Sequence, residues 1–92
     1  MSVRAVLVRV TGHVQGVGFR YWTLEEAEAL GLAGWVRNEA DGSVEALLAG
    51  PNEAVEEMLK LLRQGPQGAV VAEAVVEPVE PDEAPEDFRI VR

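Results

Sequence analysis

The chain has 92 residues, with 16 acidic against eight basic side chains, one histidine and no cysteine. Disulfide staples, thiolate catalysis and cysteine-based metal sites are therefore excluded, and the lone His13 excludes a histidine-rich metal cluster. The length predicts one domain over residues 1–92, no apolar run approaches the ~18 residues that cross a bilayer, and a formal charge of −8 is a poor match to a nucleic acid.

The opening stretch MSVRAVLVRV is amphipathic, unlike a charged head followed by an apolar block, so it is read as structure and the protein as cytoplasmic. From Arg4 to Thr11 the valines at 6, 8 and 10 alternate with Ala5, Leu7 and Arg9, a period of two that predicts a strand with one buried face. A glycine-rich loop follows. After it, Phe19, Thr23, Ala27 and Leu30 recur at helical spacing, and Gly31 followed by Leu32 predicts a Schellman stop. The stretches LAGWVRN and SVEALLAG predict a hairpin turned at Asp41-Gly42. Within it, Trp35 is expected to pack beneath the helices, and Arg37, on the side of the strand opposite Asn38, to be a surface charge.

Pro51 predicts the start of a second helix with Val55, Met58, Leu59 and Leu62 as its apolar stripe, ended by Gly65-Pro66. AVVAEAVVEPV predicts a fourth strand, EPDEAPED an exposed loop, and FRIVR a short last strand. The order is β-α-β-β-α-β with an added terminal strand. It predicts an α+β, ferredoxin-like two-layer sandwich, with two helices on one face of a mostly antiparallel sheet.

Residues 1–24 contain Arg4, Arg9 and Arg20 and no acid, whereas seven acids lie from Glu73 onward, so the opening segment suits a small anion. No Ser, Thr, Asp or Asn stands between Gly12 and Arg20 to cap the first helix, which leaves its N–H donors free. Gly16 and Gly18 allow positive φ angles and close approach of a ligand to consecutive N–H groups. Arg20 in the first turn faces the positive end of the helix dipole at a cost of ~0.3–1 kcal/mol, which an anion lying between the two reverses. The spacing matches neither a Walker loop nor a full GxGxxG. Two readings remain open on this ground alone: a phosphate cradle, or a flexible β-to-α turn with a surface arginine.

The segments GHVQGVGFR, LGLAGWVRNEADGSVE, GPQGAVV and the final FRI together resemble the acylphosphatase family over nearly the whole chain. The resemblance implies the ferredoxin-like fold and a metal-independent, cofactor-free hydrolysis of the carboxyl–phosphate bond in small acyl phosphates. It implies that Arg20, which ends the VQGVxFR segment, binds the phosphate. It also implies that Asn38, closing GWVRN, orients the attacking water, with backbone donors from Gln15, Gly16, Val17, Gly18, Phe19 and Arg20. Inorganic phosphate or sulfate is an expected occupant of the loop, and a monomer is the expected state. The acidic stretch after Pro78 follows no motif of that family, and Trp22 stands where other aromatics are common.

Other candidates have plainer readings. His13 is a possible general base or a solvent-facing strand end. Tyr21 and Trp22 line an acyl pocket or pack at the rim, and Asp41 with Glu45 forms a carboxylate pair or, respectively, shapes the turn and faces water. Two rival functions share this fold. An RNA-recognition sheet needs more sheet aromatics and more than the one lysine present; an accessory acylphosphatase-like domain of a larger carbamoyl-transfer protein has the same local sequence. Seven arginines to one lysine are compatible with a heat-adapted source.

Overall fold

The computed structural model describes residues 3–92; Met1 and Ser2, the start of the amphipathic opening stretch, lie outside the described residues. The elements follow the order β1 (Val3–His13), α1 (Phe19–Ala29), β2 (Ala33–Asn38), β3 (Val44–Pro51), α2 (Asn52–Gln64), β4 (Val70–Pro78) and β5 (Phe88–Ile90), with a 3₁₀ turn at Pro81–Glu83. The sheet runs β4-β1-β3-β2-β5, antiparallel throughout except for the parallel pairing of β2 with β5. Its first four strands and two helices form the predicted ferredoxin-like sandwich.

Side-chain parity decides which face the helices cover. Val6, Val8 and Val10 of β1, Val36 of β2 and Val44, Ala46 and Leu48 of β3 are buried on one face. Against them pack Phe19 and Ala27 of α1 and Val55, Met58, Leu59 and Leu62 of α2, each full side-chain burial of this kind contributing ~1.5–3 kcal/mol for the larger residues. Thr23 is also fully buried, and its hydroxyl donates to the Phe19 carbonyl at 2.8 Å, so the polar group on the stripe is satisfied. The Schellman stop forms as expected: the Leu32 N–H donates to the Ala27 carbonyl and the Gly31 N–H to the Glu28 carbonyl. Helix α2 begins at Asn52, one residue after Pro51, which occupies the N-cap with φ −58°.

Trp35 corrects the expectation that it packs beneath the helices. It shares parity with Arg37 and pairs with Leu47, so it lies on the helix-free face, half-buried, with the Arg37 guanidinium 4.7 Å from its ring centroid. The core side of β2 is taken by Val36, and alternation sends Trp35 the other way. Arg37 itself is half-buried and bonds Glu39 at 2.6 Å and Glu45 at 3.1 Å, so Glu45 faces a cation on the sheet as well as water.

β4 and β5 are opposite edges of the sheet, so residues 79–87 must cross all of it. Their ends are tied by Val79 N–H donating to the Ala5 carbonyl and Gly34 N–H donating to the Asp87 carbonyl. The row Ala5–Ala49–Ala33 runs across β1, β3 and β2 between these ties on the helix-free face, and Ala5 and Ala49 are buried. Small side chains there let the strap lie close. The acidic loop predicted as merely exposed thus turns its carboxylates outward while Val79, Ala84 and Pro85 are half-buried.

Candidate active site

Three strand ends meet at the end of the sheet opposite the strap. Val10, Val44 and Asn38 form a lateral row through the pairs Val10–Val44 and Val44–Asn38, so Asn38 shares the helix-covered face with the core valines. β1 continues past this row to His13, with a bulge between Thr11 and Gly12, and the chain then turns through residues 14–18 into α1. The loop, the first turn of α1 and Asn38 therefore occupy the same end of the molecule.

The loop is held firmly despite its glycines. Val14 is 1% exposed and Phe19 2%, while Val17 packs against the core, so apolar anchors stand at both ends and in the middle. Between them Gly16 has φ 76° and Gly18 φ 77°, left-handed angles that a side chain disfavours by ~1–2 kcal/mol. A Cβ at either glycine would meet nothing within 4 Å, so these residues are required by their dihedral angles, and the space beside them is open.

Gly18 is the N-cap of α1 and supplies no side-chain cap; no acid stands in the first turn. The Trp22 N–H donates to the Gly18 carbonyl at 3.0 Å, which leaves the N–H groups of Phe19, Arg20 and Tyr21 without a helical acceptor. Among the described residues, no loop or side-chain hydrogen bond uses a backbone N–H of residues 15–21. Arg20 stands in that turn. Of the three half-buried arginines, Arg4 pairs with Glu56 and Arg37 with Glu39 and Glu45; Arg20 has no ion-pair partner among the described residues. Free donors, the positive end of a helix and an unmatched arginine thus fall within the loop and the first turn of α1, beside open space at Gly16 and Gly18, an arrangement that suits an anion.

Asn38 contributes a second unmet group. Its Oδ1 is buried and has no hydrogen-bond partner among the described residues. The hairpin beyond it is tightly closed: the Glu39 N–H donates to the Ser43 carbonyl at 2.8 Å and the Gly42 N–H to the Glu39 carbonyl at 3.1 Å. Asp41 shapes this turn, its Oδ1 accepting the Ser43 N–H at 2.9 Å and the Ser43 hydroxyl at 2.6 Å, while its other oxygen meets Arg9. Those bonds, the Ser43 hydroxyl foremost, then its N–H, with Arg9 assisting, hold the Asp41 carboxyl below its ordinary value of 3.8. A depressed folded-state value means the carboxylate stabilises the fold above pH 3.8 and loses that contribution as pH falls through its folded value. Asp41→Asn should accordingly flatten part of the decline in melting temperature below that pH, measured by circular dichroism against the unmodified protein.

One contact was not legible in the sequence. Gln15, read there only as a backbone donor, turns its side chain onto the hairpin: Nε2 donates to the Glu39 carbonyl at 2.8 Å and to the Ser43 carbonyl at 2.9 Å. His13 is exposed and ends the ladder opposite Val70, so His13→Ala should leave the turnover rate and its pH profile unchanged. Tyr21 is 66% exposed, and Trp22 is half-buried edge-on to Phe19 at 5.4 Å between ring centroids. Among the described residues, no three or more histidine, aspartate or glutamate side chains converge as a metal-binding group, and no helix is long and apolar enough to cross a membrane.

A family model described as Acylphosphatase matches residues 6–90. An acylphosphatase of Rhizobium meliloti is 62% identical over 89 residues, covering 97% of this chain and 94% of that protein. The crystal structure of acylphosphatase from Bacillus subtilis superposes with a TM-score of 0.92 at 36% identity, over 99% of this chain and 100% of that one. Full-length HypF, in a phosphate- and nucleotide-bound form, matches 99% of this chain with 12% of its own length, at a TM-score of 0.86 and 28% identity. Matched over most of its length by sequence and by fold, the chain belongs to the acylphosphatase family, hydrolases that act on acyl phosphates.

Proposed function

We propose that the loop 15–20 and Arg20 hold the phosphate of a small acyl phosphate and that Asn38 orients the attacking water. The observation that carries this reading is the uncapped first turn of α1, whose N–H groups are free of helical and loop acceptors in the turn that holds the unmatched Arg20, next to glycines with open space beside them. Backbone donors of Gln15, Gly16, Val17, Gly18, Phe19 and Arg20 take the phosphate oxygens, and the planar guanidinium takes two at once. Charge developing on those oxygens during transfer then meets donors already in place.

The buried Asn38 Oδ1 accepts an O–H of the water, which directs the oxygen lone pair at phosphorus. The new bond forms between water oxygen and phosphorus, the bond from phosphorus to the acyl oxygen breaks, and its electron pair leaves on the carboxylate. The water's proton passes to a phosphate oxygen. A carboxylate is a good leaving group and needs no proton donor, so positioning and charge stabilisation suffice, as in other loose phosphoryl transfers.

The working protein in this reading is one domain over 1–92, a cytoplasmic monomer needing no cofactor, with inorganic phosphate or sulfate as an alternative occupant of the loop. The test is phosphate release from acetyl or benzoyl phosphate with and without EDTA. Turnover should be the same in both; absence of turnover, or its loss with EDTA, overturns the reading. Sedimentation analysis checks the monomer.

A further inference from the structure

We infer that the Gln15 side chain is a positioning residue that sets the distance between the bound phosphate and the water on Asn38. The inference rests on the proposed roles of the loop and of Asn38. Two parts of the site arrive from separate segments: the cradle from the β1-to-α1 loop, and Asn38 from the end of β2. The ladder row Val10–Val44–Asn38 and the apolar anchors of the loop bring them to the same end of the molecule, and a direct tie between loop and hairpin is needed to fix one against the other. Gln15 does so through both hydrogens of its amide nitrogen, donated at 2.8 Å to the carbonyl of Glu39, which follows Asn38, and at 2.9 Å to the carbonyl of Ser43, which precedes Asn38's ladder partner Val44.

These two carbonyls belong to the pair that closes the hairpin, joined by the Glu39 N–H to Ser43 carbonyl bond at 2.8 Å. The amide therefore grips a stiff turn, made stiffer by Asp41 on the buried Ser43. On its own side Gln15 sits between Val14, which is buried, and Gly16, the first residue of the cradle with a positive φ. The result is a strut one side chain long between cradle and hairpin, separate from the backbone N–H that Gln15 itself offers to the phosphate.

Reacting atoms must lie about 3–3.5 Å apart for in-line attack, and a displacement of about 1 Å costs up to about 100-fold in rate. Cutting the strut should disturb attack while leaving each half able to work alone. Gln15→Leu keeps comparable bulk and removes both donors; it should lower kcat for benzoyl phosphate by about 10- to 100-fold while the Kd for inorganic phosphate, by calorimetry, stays close to that of the unmodified protein. Gln15→Glu places a carboxylate against two carbonyls and should be as slow at neutral pH. Relative to the unmodified enzyme its kcat should recover as pH falls and the protonated carboxyl regains an O–H donor.

Unchanged kcat in Gln15→Leu, or a phosphate Kd weakened as much as kcat, overturns the inference. Should Gln15→Leu fail to fold, the pH profile of Gln15→Glu decides, and a flat ratio to the unmodified enzyme overturns it. Failure of the cradle itself is separately visible as a lack of phosphate binding by the unmodified protein.

Discussion

Arg20→Ala should nearly abolish turnover of benzoyl phosphate and weaken inorganic phosphate binding together, without lowering the melting temperature. The guanidinium is half-buried, unmatched by any carboxylate among the described residues, and placed in the first turn of α1. In the free protein it faces the positive end of the helix dipole, a cost of ~0.3–1 kcal/mol, so removing it relieves the fold slightly. With phosphate bound the sign reverses, because the anion lies between dipole and cation. Loss of an arginine that stabilises a phosphoryl transition state typically costs about 10³-fold or more in kcat. Arg20→Lys keeps the charge and loses the planar fork, and it should also be nearly inactive with weakened phosphate binding. Steady-state kinetics, calorimetry with inorganic phosphate and thermal melts check the three parts. Undiminished phosphate binding in Arg20→Ala contradicts the cradle.

For Asn38→Ala the expected pattern differs: turnover falls ~100- to 1,000-fold, in line with removal of one well-placed polar group, while phosphate binding is spared. Its Oδ1 is buried with no partner among the described residues, so the substitution breaks no side-chain hydrogen bond that Oδ1 makes within the fold. The melting temperature should therefore stay close to that of the unmodified protein even as activity is lost. Loss of phosphate affinity equal to the loss of kcat would instead assign Asn38 to binding.

The two substitutions separate the halves of the site, and the Gln15 variants test the strut between them. Three measurements on one substrate and one product thus distinguish holding the phosphate, holding the water and holding the two in register. For Arg20 and Asn38 the expected melting temperatures keep loss of function distinct from simple unfolding.

Much of this molecule was legible before any tertiary contact was known. Alternating valines at 6, 8 and 10, the helical recurrence of Phe19, Thr23 and Ala27, and the Asp41-Gly42 turn all appear as read, because each depends on neighbours within a few residues. The missing cap before Phe19 and the glycines at 16 and 18 showed free donors beside Arg20 for the same local reason. Trp35 departs from the expectation because lying in a strand beneath helices does not say which face a side chain takes, and Val36 occupies the core side.

What the sequence determined by itself is therefore local: the β-α-β-β-α-β order, the uncapped glycine loop with its arginine, and, through family resemblance, the pairing of Arg20 with Asn38. The tertiary structure alone decided the rest. It placed β5 parallel to β2 at the far edge, laid the acidic strap over a row of alanines, orphaned the Asn38 oxygen and joined Gln15 to carbonyls 24 and 28 residues away. These depend on packing between segments distant along the chain, and neither backbone propensity nor a period of two or 3.6 specifies which distant group will be met.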